Sequence, residues 1–134
     1  MAQIRLRWPH LTCQIRNGTL VCDGPVQPTA ASRTYTIRLQ YRVGLEPRIR
    51  ITKPRLERRT SAPDQPIPHT YDSTRQGRER PCLFFPGSGD WRSDKSLAAT
   101  VIPWVYEWLV FYELWHITGE WLGGGIEHDQ GSDK

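Results

Sequence analysis

Between Pro103 and Gly119 aromatic residues recur at a helical interval, and that interval limits what the rest of the chain can form. Trp104, Trp108, Phe111 and Trp115 are spaced four, three and four apart, which puts them on one face of an α-helix. Pro103 suits a first helical turn, and Gly119 with Gly123-Gly124-Gly125 supplies stop signals. Val110, Leu114 and Ile117 add a flanking apolar face, with Glu107, Glu113 and Glu120 on the wetter side. A helix of this kind is expected to be largely buried, its three tryptophans serving as core.

The first half of the chain has the opposite period. Tyr35, Ile37, Leu39, Tyr41 and Val43 alternate with Thr36, Arg38, Gln40 and Arg42, and Arg48 to Thr52 repeats the alternation until Pro54. Period two marks half-buried strands with a polar outer face. Leu11–Ile15 and Thr19–Cys22 flank Asn17-Gly18, a hairpin signal, and Asp23-Gly24-Pro25 is expected to break the second strand. The expectation is an α+β fold, an antiparallel β-meander of about four strands packed on the C-terminal aromatic helix. One domain over residues 1–128 and a polar tail over 129–134 account for the 134 residues.

Composition excludes several classes. No run reaches the roughly 20 uninterrupted apolar residues of a membrane span, because Glu107, Glu113, His116 and Glu120 interrupt the best candidate. The N-terminal text has basic residues but no apolar core of a secretory signal, so a cytoplasmic protein is expected. Residues 1–60 hold 12 Arg or Lys against 3 Asp or Glu, and residues 61–134 hold 6 against 11. A basic half can attract nucleic acid, but arginines alternating on strands are what a solvent face ordinarily carries. Three cysteines with no C-x-x-C and no His/Cys cluster predict thiols rather than a disulfide framework or a metal site. No metal or other cofactor is expected.

Cys13 and Cys22 lie in strand-like text and read as buried hydrophobes. Cys82 differs. It opens the short apolar segment Leu83-Phe84-Phe85, which Pro86 ends, and it follows an exposed, mobile loop from Asp72 to Arg80. Arg78 and Arg80 are cations near enough to favour a thiolate. A nucleophile at Cys82 and a core cysteine both fit this text. His69 lies near Cys82 if the intervening loop folds back, as base or as a structural anchor. Trp91 is expected to cap the core beneath the cysteine loop and His116 to be a satisfied core histidine, while an approach of His128, near the glycine run, to the site is the less favoured reading.

Pro68-His69-Thr70-Tyr71, then Cys82-Leu83-Phe84 with Pro86 and Trp91, then Ile102-Pro103-Trp104, Trp108-Leu109, Tyr112-Glu113 and Trp115, ending in Thr118-Gly119-Glu120-Trp121 and His128, resemble a known pattern. They are similar to the prokaryotic branch of the ubiquitin-conjugating (E2-like) enzymes found in bacterial antiviral operons of the cyclic-oligonucleotide type, CBASS. The similarity spans roughly Leu11 to His128. It implies a ubiquitin-conjugating-enzyme-like fold and a thioester carrier: Cys82 accepts an acyl group, the C-terminus of a cGAS-like nucleotidyltransferase, and passes it to an amine. The chain has no ATP-binding glycine-rich motif, so adenylation falls to a separate E1-like activating enzyme unless the acyl group arrives activated. Eukaryotic relatives carry His-Pro-Asn before the cysteine, whereas this chain reads His69-Thr70-Tyr71 and has its only Asn at position 17. Backbone N–H groups or the Tyr71 hydroxyl are the replacements available for the Asn. Cys82, His69 and Tyr71 are therefore the expected site. A silent scaffold of the same fold and a basic nucleic-acid-binding module are the rival readings.

Overall fold

A computed structural model of the chain describes residues 2–83 and 97–123. A short helix α1 (Ala2–Arg7) precedes four strands, β1 (Thr12–Arg16), β2 (Thr19–Val26), β3 (Tyr35–Arg42) and β4 (Arg48–Lys53). These form one antiparallel sheet in the order β1-β2-β3-β4. A two-stranded ribbon of β5 (Thr70–Tyr71) and β6 (Arg80–Pro81) follows, and the long helix α2 (Val101–Thr118) closes the described chain. The α+β meander with a C-terminal helix is the architecture expected from the two periods. No helix among the described residues is long and apolar enough to cross a membrane.

Alternation sorts the sheet. Tyr35, Ile37 and Leu39 of β3 and Ile49 and Ile51 of β4 are buried, while Arg38, Arg48 and Arg50 face solvent. The pattern ends with the strand, because Val43 stands beyond Arg42 and is exposed. Asn17 and Gly18 both take positive φ in the tight turn joining β1 to β2. That hairpin sets Cys13 opposite Cys22, both buried thiols, and burial pushes the Cys22 thiol well above its ordinary pKa.

The second strand does not break at Asp23-Gly24-Pro25; it runs on to Val26, paired with β3. β1 stops opposite Asp23, so Gly24 to Val26 have a strand on one side only, where a proline is tolerated. Gly24 is needed for close approach rather than for a turn: a Cβ there would lie 2.7 Å from the His10 carbonyl oxygen and 2.8 Å from Leu11 Cδ2.

The helix begins two residues before Pro103, which still sits in the first turn, where its missing N–H leaves no intrahelical bond unmade. It ends at Gly119, whose left-handed backbone (φ 83°) lets its N–H reach the Trp115 carbonyl at 2.8 Å. Val101, Ile102, Val105, Trp108, Leu109, Tyr112 and Trp115 join the inner face of the sheet in one core. The core stripe is rotated from the face that the aromatic spacing predicts. Trp104 and Phe111 are only half-buried, and Ile117 is exposed. His116 is half-buried rather than in the core, its Nε2 2.9 Å from the Glu57 carbonyl oxygen. Glu113 is also engaged, accepting hydrogen bonds from Tyr35 (2.8 Å) and Ser32 (2.7 Å) across the layers.

Candidate active site

The loop between His69 and Cys82 folds back as an antiparallel ribbon. Thr70 pairs with Pro81 and Tyr71 with Arg80. The next position in this register sets His69 opposite Cys82, and the Cys82 N–H donates to the His69 carbonyl at 2.9 Å. Two consecutive turns close the far end, Arg75 N–H to Asp72 carbonyl (2.9 Å) and Arg78 N–H to Arg75 carbonyl (2.8 Å). Most side chains of this loop are exposed, as expected, but Glu79 is buried.

His69 is fixed by its backbone. It takes φ 53°, a left-handed conformation in which His is enriched although most side chains avoid it. Its carbonyl accepts a second hydrogen bond, from Trp108 Nε1 at 2.9 Å, and its ring lies 5.2 Å from that of Trp121. Residues held against steric preference cluster at functional sites, where the surrounding contacts determine them.

The Tyr71 hydroxyl is hydrogen-bonded to the Cys82 thiol. Burial first, and then the charge and hydrogen bond of Cys82, push the Tyr71 pKa well above the ordinary phenol value. Tyr71 therefore keeps its proton and acts as a donor to sulfur. The Arg80 guanidinium lies 4.9 Å from the centre of the Tyr71 ring and bonds Asp72 at 3.3 Å. Arg80 thus acts on the site through Tyr71, and Arg78 is exposed.

Glu79 is the buried acid of the loop, 3% exposed. Its Oε1 accepts the Gly77 N–H at 2.8 Å, and its Oε2 is buried with no hydrogen-bond partner. Burial holds its carboxyl above the usual carboxylate pKa, partly offset by hydrogen bonds and the Arg58 charge. An acid whose pKa is raised by folding loses protons more readily when unfolded, so it costs stability as pH rises from its unfolded to its folded value. Urea unfolding from pH 4.5 upward should show this fall, and Glu79→Gln should flatten it. An unchanged slope in the variant would assign the pH dependence elsewhere.

Cys82 is half-buried and lines an open cavity of about 340 Å³ with His69, Leu83, Glu107 and the rings of Trp104, Trp108, Phe111 and Trp121. Pro81 and Leu83 on either side of the thiol, with Tyr71, line a second cavity of about 350 Å³ beneath the β3–β4 turn. The thiol stands at the divide between the two. Of the sequence-predicted residues, His69, Tyr71 and Cys82 come together; Trp91 and His128 lie outside the described residues, as do Phe84 and Pro86. Glu107 and Trp121 were not singled out for the site. Glu107 was legible, since Trp104, Glu107, Trp108 and Phe111 follow i, i+3, i+4, i+7. Among the described residues no group of three or more His, Cys, Asp or Glu is placed to hold a metal ion.

A buried-edge thiol with a tyrosine donor is shared by many chemistries, and comparison with known proteins narrows them. The family model described as "Type II CBASS E2 protein" matches residues 1–129. The chain belongs to this family. Membership makes this CBASS E2 protein E2-like and ties it to CBASS antiviral signalling. No curated protein matches the chain.

Proposed function

We propose that this CBASS E2 protein, with a fold of the ubiquitin-conjugating type, carries an acyl group as a thioester on Cys82 and delivers it to an amine. The observation that carries this reading is the ribbon register, which sets His69 opposite Cys82 beside an open cavity while Tyr71 bonds the thiol. The Cys82 thiol loses its proton to water, and the thiolate sulfur attacks the carbonyl carbon of an activated C-terminus; the C–S bond forms as the bond to the activating group breaks and that group leaves with its electron pair. An amine nitrogen then attacks the thioester carbonyl. The C–N bond forms, the C–S bond breaks, and Cys82 departs as thiolate while the nitrogen loses a proton to a base or water.

Tyr71 fits both halves of this sequence. A protonated phenol donates to the attacking thiolate and again to the departing one, favouring the charged sulfur at each stage. His69 acts as a positioning residue, since its carbonyl ties the ribbon to α2. The acyl donor in this reading is the C-terminus of the cGAS-like nucleotidyltransferase, activated by an E1-like enzyme, in the bacterial cytoplasm.

The test is co-expression with the neighbouring nucleotidyltransferase, followed by intact-protein mass with and without thiol reductant. An increase equal to that partner, removed by reductant, is the expected result. Stable co-purification with no covalent adduct would instead make the protein a silent scaffold.

A further inference from the structure

We propose that Glu79 is a positioning residue for Cys82: its buried carboxylate locks the register of the β5–β6 ribbon and so holds the thiol against the Tyr71 hydroxyl. Its role in transfer rests on the thioester reading, whereas its placement of the thiol does not. The ladder between β5 and β6 has only two pairs, Thr70 with Pro81 and Tyr71 with Arg80. Side chains alternate along a strand, so a slip of one residue would turn Cys82 to the opposite face. In the observed phase Glu79 and Pro81 are buried, while Arg80 and Cys82, at the alternate positions, are half-buried. Cys82 is the diagonal neighbour of Tyr71, a separation that a long aromatic side chain spans. A slip of two residues would keep the faces but carry Cys82 roughly 7 Å from its place beside that hydroxyl.

Two pairs do little to exclude these slips, and Glu79 supplies what the ladder lacks. Its Oε1 takes the Gly77 N–H at 2.8 Å, presented from the second turn by a left-handed backbone (φ 83°). The backbone of Arg78 and of Glu79 itself also favours the charged carboxylate, so three successive N–H groups act on it, as in an anion-binding nest. Arg58, whose charge adds to this, donates to the Pro63 carbonyl at 2.9 Å and to the Ser73 carbonyl at 3.2 Å. The carboxylate is thus set between the proline-rich crossing and the tip of the ribbon. An apolar side chain at position 79 would be buried at lower cost, because Oε2 has no partner there. It would not fix the phase, since Pro81 and Leu83 share its alternation and are apolar too. A carboxylate finds the Gly77 N–H in one register only, and register is the best-attested use of a buried polar group.

A double-mutant cycle on the full chain reads the lock through the rate of Cys82 alkylation by iodoacetamide at neutral pH. Tyr71→Phe slows this reaction in the parent protein. In Glu79→Ala the slowing factor should shrink about fivefold, because the hydroxyl no longer meets the sulfur. Should Glu79→Ala not fold, the same factor is read in Glu79→Gln, which keeps an acceptor oxygen for Gly77 and loses only the charge. There it should shrink about twofold. Ile37→Val, in the sheet core, is the comparator: it should lower stability to urea and leave the factor unchanged. An unchanged factor in the Glu79 variants, or no slowing by Tyr71→Phe in the parent, would overturn the positioning role. Equal shrinkage in Ile37→Val would reduce the effect to stability and overturn it as well. A shrunken factor in a protein that forms no adduct with the nucleotidyltransferase would fail the thioester reading and leave the lock standing.

Discussion

Cys82→Ala is expected to eliminate the reductant-sensitive adduct with the nucleotidyltransferase, and Tyr71→Phe to slow its formation about tenfold. The first loss is total because the described alternatives are inert: Cys13 and Cys22 are buried in the sheet. The second follows from the hydroxyl that bonds the thiol. A hydrogen bond to a charged group contributes about 1.5–3 kcal/mol, so removing it should make the Cys82 thiolate less favourable and slow its reactions. The check is the rate of alkylation by iodoacetamide against pH, followed by mass spectrometry on each cysteine. In Tyr71→Phe the Cys82 profile should move to higher pH while Cys13 and Cys22 stay slow in both proteins. Superimposable profiles would show that the hydroxyl does not favour the thiolate, and that its place in the site is only steric.

Trp115→Ala should bring the largest loss of stability. Trp115 is fully buried, touching Tyr112 and His116 with ring centres 6.3 and 5.0 Å apart. Removing such a ring costs about 3–5 kcal/mol in lost burial and residual cavity, a large part of the roughly 5–15 kcal/mol that holds a domain folded. Trp115→Phe should cost far less than the ring's size suggests. The Trp115 Nε1 is buried without a hydrogen-bond partner, and phenylalanine deletes that unsatisfied donor together with part of the ring. Urea unfolding of the two variants separates the terms. If Phe proves as costly as Ala, packing of the indole outweighs the orphaned N–H.

The parts of the fold that carry a long period were legible from sequence. Alternation located β3 and β4, Asn17-Gly18 located the first hairpin, and the aromatic interval located α2. The continuation of β2 through Gly24 and Pro25 was hidden because its cause is tertiary, a close approach from His10 and Leu11 and a missing neighbour strand. Helix α1 has six residues, too few for a period to register. In α2 the tryptophans suggested a single core face. They instead divide between the core, which takes Trp115, and the wall of the cleft, which takes Trp104. Residue type alone does not distinguish a ring packed on a sheet from one packed around a thiol.

The site was legible as residues but not as geometry. Cys82, His69 and Tyr71 stood out by chemistry and by resemblance, yet their meeting depends on strands of only two residues, which carry no pattern. The place of Glu107 on the cleft face was legible from its helical spacing with Trp104, Trp108 and Phe111.

The ribbon also bears on how lineages of this fold could diverge. Cys82 faces His69 because they are partners in a ladder, and the twelve positions between them serve to reverse the chain. Residues inserted at the tip of the turn, or removed from it, would leave the ladder and the thiol in place. What must persist is the pairing and not the number of letters between the two residues. A search pattern that fixes that number would pass over proteins with the same chemistry, whereas one that lets it vary and asks for a reversing turn would find them.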